Sequence, residues 1–158
     1  MKESIVQEVF DLLMKKNKTF SSAESCTGGN IAHQITLIAG SSNIFNGTAV
    51  TYATPMKTKV LGVPAETIEK YTVVSQQVVE SMAIGVRNLM ETDFGIATTG
   101  IAGPSGGSES TPVGTVWIGM ASANGVVSHC YHFQGDRVEV INQATFAAYE
   151  MLKKQITD

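Results

Sequence analysis

The run Phe94-Gly95-Ile96-Ala97-Thr98-Thr99 is uncharged and almost wholly apolar, and a strand of that character needs cover on both faces. The segments around it supply such cover. Ile5, Val6, Val9, Phe10, Leu12 and Leu13 recur at helical spacing and predict an amphipathic helix over 3–16. Lys18–Glu24 predicts a short strand running into Ser25-Cys26-Thr27-Gly28-Gly29, and Ile31 to Ala39 predicts a helix that stops at Gly40. Gly47–Tyr52 is β-branched and aromatic, a second strand.

Thr54 and Pro55 predict the N-cap and first residue of a helix ending at Gly62. Pro64 opens a further short turn of helix, and Ser75 caps a longer one reaching to about Met90. Residues 100–112 are an irregular glycine-rich loop, long enough to suspect function. Val113–Ser122 and Val126–Phe133, joined by Ala123-Asn124-Gly125, predict a hairpin on an Asn-Gly turn, and a last helix runs from Asp136 to about Lys154. This order predicts an α/β fold, a three-layer α/β/α sandwich with a mixed sheet. A chain of 158 residues is expected to form one domain over 1–158, since domains run to about 100–200 residues.

Charge and cysteine usage narrow the function classes. Eleven basic residues against fourteen acidic ones give a net charge of −3, which offers no footprint for nucleic acid. No segment reaches about 18 uninterrupted apolar residues, as a membrane span requires. Glu3, Gln7, Glu8 and Asp11 interrupt the N-terminal apolar residues and rule out a secretory h-region there. Cys26 and Cys130 form neither a disulfide framework nor a metal motif. A cytoplasmic protein with a small-molecule partner is expected, without nucleic acid or membrane.

Local rules break at two helix starts. Helix N-termini favour acidic residues, yet Thr54-Pro55-Met56-Lys57 puts a lysine at N3, where Pro64-Ala65-Glu66 puts a glutamate. The helix end would depress the Lys57 pKa and burial would depress it further, as a neutral general base near pH 7 requires. The plain alternative is an exposed, slightly costly lysine. In Gly135-Asp136-Arg137, Asp136 and Glu139 form a capping-box pattern and Arg137 stands at N1. There a guanidinium beside free N–H groups makes an anion site, unless Arg137 is simply solvated and paired.

Ser25 stands where a strand gives way to Gly28-Gly29 and a helix. Its hydroxyl reads first as a cap and second as a nucleophile; the glycines aim N–H groups at whatever approaches, as a phosphate cradle or an oxyanion hole. Neither GxSxG nor SxxK is present. Cys26 is a rival nucleophile or a buried structural thiol. His129 and His132, three apart on a strand, point to opposite faces and share no metal. His33 stands alone in a helix, and Met56, Met82, Met90 and Met120 read as packing residues.

Several blocks in order carry a resemblance: Ala23-Glu24-Ser25-Cys26-Thr27-Gly28-Gly29, Ala39-Gly40-Ser41-Ser42, Val50-Thr51-Tyr52, Gly100-Ile101-Ala102-Gly103-Pro104, Pro112-Val113-Gly114-Thr115-Val116 and Gly135-Asp136-Arg137. Over about 5–155 the chain resembles the CinA C-terminal domain family, in the stand-alone form of the PncC-type nicotinamide-nucleotide amidases. The resemblance implies hydrolysis of nicotinamide mononucleotide to nicotinic acid mononucleotide and ammonia, in pyridine-nucleotide recycling. It implies a Ser/Tyr/Lys site, here Ser25, Tyr52 and Lys57, with Cys26, Thr27, Gly28, Gly29, Thr99, Gly100, Gly103 and Arg137 binding substrate. No metal and no cofactor are implied. Two other readings stand beside it: a non-catalytic nucleotide-binding module, and an amidase for an amide without phosphate. A homo-oligomer, a dimer first, is expected because closed dimers are the commonest assembly.

Overall fold

A strand buried on both sides needs two helical layers, and the computed structural model, which describes residues 2–158 with side chains from Ile5 onward, contains them. In chain order the elements are α1 (Lys2–Lys16), β1 (Phe20–Glu24), α2 (Asn30–Thr36), a 3-10 turn (Ser41–Asn43), β2 (Phe45–Val50), α3 (Thr54–Leu61), α4 (Ala65–Tyr71), α5 (Gln76–Met90), β3 (Phe94–Gly100), β4 (Thr115–Ser122), β5 (Gly125–His132) and α6 (Arg137–Thr157). The strands form one sheet in the order β2-β1-β3-β4-β5. β1 is parallel to β2 and β3, while β4 is antiparallel to β3 and β5. The expected α/β/α sandwich with a mixed sheet is the fold observed.

Connection handedness decides which helix covers which face. The β1-α2-β2 crossover moves one way along the sheet and the β2-α3-α4-α5-β3 crossover moves back past it. Both must be right-handed, so their helices lie on opposite faces. Ile31 and Ile35 of α2 pack with α1 and α6 around Phe20, Ile96, Ile118 and Met120. Val78, Val79, Met82 and Val86 of α5 pack on Ala23, Ala97 and Ala121. Alternate residues of each strand thus serve different cores, as the two-residue period dictates. Tyr149 of α6 ties the first layer together by donating its hydroxyl to the Ile31 carbonyl.

Several element boundaries depart from the sequence expectations. α2 ends at Thr36, and the chain reaches Gly40, at φ 90°, through a bond from Ile38 N–H to the Ile35 carbonyl. β2 spans Phe45–Val50, not Gly47–Tyr52, because its register follows β1, where Glu24 pairs with Val50. The hairpin turns on Ala123 and Asn124, with Gly125 already paired to Ser122, so the expected Asn-Gly centre lies one residue too late. α3 starts at Thr54, with Ala53 as its N-cap: Met56 N–H reaches the Ala53 carbonyl at 2.9 Å and closes the turn one residue early. Lys57 therefore stands at the fourth helical position, not the third. Ser75 and Asp136 cap as expected, the latter in a reciprocal capping box with Glu139.

α3 is held against α5 where Gly85 faces the Leu61 carbonyl, closely enough that a Cβ at Gly85 would collide with that oxygen. Helix propensity alone favours alanine over glycine by about 1 kcal/mol, whereas overpacking costs about 1–3 kcal/mol. Gly85→Ala is expected to lose about 1–2 kcal/mol in urea unfolding, the collision outweighing propensity. A raised midpoint would show that the two helices have slack between them.

Candidate active site

In open sheets with parallel strands, clefts form at the strand carboxyl ends where neighbouring connections leave in opposite directions. Here β1 leads toward β2 and β3 leads toward β4. A cavity of about 260 Å³ opens at that point. Ser25, Cys26, Tyr52, Lys57, Thr99, Gly100, Gly103 and Arg137 all line it. Eight of the expected site residues are thus brought together. Thr27, Gly28 and Gly29 do not line it.

The segment after β1 separates two neighbouring side chains. Strand alternation sends Glu24 toward α2 and Ser25 toward α3. Glu24 is fully buried. Its Oε1 accepts from Thr27 Oγ1 at 2.7 Å, Gly29 N–H at 3.1 Å and Ile31 N–H at 3.0 Å. Its Oε2 accepts from Ala32 N–H at 3.0 Å and faces the hydroxyls of Ser22 and Thr48 at 3.1 Å each. The N-cap of α2 is Gly29, at φ 103°, with no capping side chain. The carboxylate five residues upstream takes over that task, satisfying amides that would otherwise be orphaned. Gly29 N–H is therefore engaged within the protein, as is Gly28 N–H, which donates to the Ser25 carbonyl at 3.0 Å.

Glu24 was not among the residues selected from the sequence. Its signal was an acidic residue in a strand whose other residues, Phe-Ser-Ser-Ala, are all burial-tolerant, followed by a Gly-Gly helix start lacking a Ser, Thr, Asp or Asn cap.

Lys57 lies on the other side of the strand, with only 1% of its surface exposed. Its Nζ donates to the Thr51 carbonyl at 2.6 Å and lies 3.1 Å from Ser25 Oγ. It joins no ion pair among the described residues. Burial lowers its pKa from the ordinary 10.5, an effect that Cys26 would oppose only if its thiol ionised. Desolvation is thus the leading cause of the depression, as the expected burial requires. Once deprotonated, the amine has a lone pair at hydrogen-bond distance from the Ser25 proton. Cys26 behaves differently: burial pushes its thiol up to about 12, so it stays protonated and unreactive at neutral pH.

Tyr52 and Arg137 face each other across the cavity mouth. Arg137 donates to Tyr52 Oη at 2.9 Å and to the Gly103 carbonyl at 2.6 Å. Tyr52 is 59% exposed, and its hydroxyl is engaged by Arg137; Lys57 reaches Ser25 directly. Thr99 Oγ1 donates to the Val73 carbonyl at 3.0 Å, anchoring the end of β3 to the segment before α5. In the loop beyond, Ile101 N–H is paired with the Thr115 carbonyl, while the N–H groups of Ala102, Gly103, Ser105 and Gly106 meet no acceptor among the described residues. All four residues line the cavity that Ser25 also lines. No group of three or more His, Cys, Asp or Glu suited to a metal occurs among the described residues, and none of their helices is long and apolar enough to cross a membrane.

Residues 2–156 match the family model described as CinA C-terminal domain. A CinA-like protein of Fervidobacterium nodosum is 46% identical over 148 residues, 94% of this chain and 36% of the relative. One from Flavobacterium psychrophilum is 50% identical over 145 residues, 92% of this chain and 35% of the relative. The chain thus spans about a third of the length of these curated relatives. Among solved structures, the competence/damage-inducible protein CihA of Agrobacterium tumefaciens superposes with a TM-score of 0.95 at 36% identity, covering 99% of this chain and 96% of that one. A CinA superfamily protein of Klebsiella pneumoniae gives 0.95 at 32% identity, with 99% and 98% covered.

The Lys57 depression has a consequence for stability. Between its native titration point and 10.5 the unfolded chain binds more protons at this site than the folded one, so stability rises with pH across that interval. Below the interval the cost of burying the charge is fully present. The unfolding free energy of wild type minus that of Lys57→Met is therefore expected to increase as pH is raised toward 10.5. A difference that stays flat in denaturant titrations over this interval would place the amine in water.

Proposed function

The chain belongs to the CinA C-terminal domain family, and from that premise we propose that it is a serine amidase that deamidates nicotinamide mononucleotide to nicotinic acid mononucleotide and ammonia. The observation that carries this reading is the buried, carboxylate-free Lys57 amine 3.1 Å from Ser25 Oγ.

Neutral Lys57 takes the Ser25 proton as Oγ attacks the carboxamide carbon. The developing oxyanion meets the unpaired amides of the 102–106 loop, whose hydrogen bonds strengthen as charge builds. The Lys57 ammonium then returns its proton to the amide nitrogen, and ammonia leaves as the C–N bond breaks. Water attacks the resulting ester with Lys57 again as base, releasing the carboxylic acid and restoring Ser25. Arg137 and Tyr52, joined across the mouth, hold the nucleotide, the guanidinium taking the phosphate. The same reading includes a cytoplasmic, single-domain homo-oligomer.

Ammonia release from nicotinamide mononucleotide tests the proposal. Lys57→Met is expected to lower kcat by about 10²–10⁴-fold, the usual worth of a general base, and Ser25→Ala by at least as much. Arg137→Ala is expected to raise KM roughly 10- to 100-fold, for one charge-assisted contact of about 1.5–3 kcal/mol. Wild-type turnover should rise with pH through the Lys57 titration, below 10.5. Normal turnover in Ser25→Ala would transfer the chemistry elsewhere. Binding without ammonia release by wild type would favour a nucleotide-binding module, and an unchanged KM in Arg137→Ala would favour an amide without phosphate.

A further inference from the structure

Pairing between β1 and β3 ends at Ala23 and Ala97, so the backbone of Ser25 lies beyond that ladder. The Ser25 N–H is instead aimed at Thr98 Oγ1, at 3.4 Å. Thr98 Oγ1 lies 2.9 Å from Thr27 Oγ1, which donates to Glu24 at 2.7 Å. Thr27, Thr98 and Glu24 are all buried, and neither Thr27 nor Thr98 lines the cavity.

Donor capacity gives this chain of contacts a single direction. A carboxylate only accepts, so Thr27 spends its one proton on Glu24. Thr27 is then an acceptor toward Thr98, which spends its own proton there and is left to accept from the Ser25 N–H. The neighbouring Cys26 thiol, held protonated by burial, offers Thr98 only a weak sulfur acceptor, which does not compete with a contact that ends on a buried charge. Each bond polarises the next, so the anchor at Glu24 is felt at Ser25.

We propose that Glu24, acting through Thr27 and Thr98, is a positioning element for the nucleophile: the ordered relay from Ser25 N–H to Thr98, Thr27 and the carboxylate holds the end of β1 so that Ser25 Oγ stays within reach of Lys57 Nζ. The inference rests on the reading of Ser25 as nucleophile and Lys57 as base. It assigns the two adjacent threonines of β3 separate tasks. Thr99 ties the cavity wall to the α5 side, and Thr98 steadies the serine from behind.

Glu24→Gln disturbs the start of α2 and endangers folding, so Thr98→Val and Thr98→Ser are the informative pair. Thr98→Val keeps the volume and removes the hydroxyl. It is expected to lower kcat roughly 10- to 100-fold with KM within about twofold and with the pH midpoint of turnover unchanged. Its crystal structure should show the Ser25 Oγ to Lys57 Nζ separation lengthened beyond hydrogen-bond range. Thr98→Ser should restore both rate and separation, and Thr27→Val added to Thr98→Val should cost little more than either alone. Wild-type kcat with an unchanged separation in Thr98→Val overturns the proposal, and so does a loss that serine fails to rescue, which would mean packing alone. If wild type releases no ammonia, the separation decides: lengthening in Thr98→Val with recovery in Thr98→Ser keeps the relay while the proposed activity falls, and no lengthening removes the relay as well.

Discussion

Burial of the Lys57 amine against Ser25 Oγ and the Thr51 carbonyl, with no carboxylate to pair it, is the constraint around which the surrounding structure is arranged. A buried amine beside an acidic partner would be held charged, its pKa raised. Here the acidic residue nearest in sequence to the hydroxyl, Glu24, is turned to the opposite side of the sheet and saturated by α2 amides and neighbouring hydroxyls. The described ion pairs, Lys18–Asp93 and Lys153–Glu8, are partly exposed and involve other residues. Desolvation is therefore left to act on the lysine almost unopposed.

Topology makes that separation possible. Two crossovers travelling in opposite directions along the sheet place α2 on one face and α3 on the other. A strand end between them presents consecutive residues to the two layers, so Glu24 closes the start of α2 while Ser25 meets the lysine of α3. The antiparallel turn from β3 into β4 then leaves the 101–107 loop to form the remaining wall. Arg137 at the start of α6 bridges that wall, through Gly103, to Tyr52 beyond the end of β2.

Much of this was readable from local chemistry. The apolar run at Phe94 demanded two helical layers, the Asp136 and Glu139 pair announced the start of α6, and Ser75 announced that of α5. Lys57 stood out as a residue that helix electrostatics disfavours; it lies one position deeper in α3 than expected, and burial lowers its pKa as expected. The separate duties of Thr98 and Thr99 were hidden, because two threonines closing an apolar strand look alike until the register assigns them to opposite faces. Glu24 was hidden for a related reason. Its partners are backbone amides up to eight residues away, whose directions exist only once Gly28 and Gly29 have taken positive φ.

Direct titration of the amine reaches the root of this arrangement. In protein carrying lysine labelled at Cε, the Lys57 resonance, assigned by its absence in Lys57→Met, should titrate with a midpoint below 10.5. A Lys57 midpoint at or above 10.5 would contradict the account.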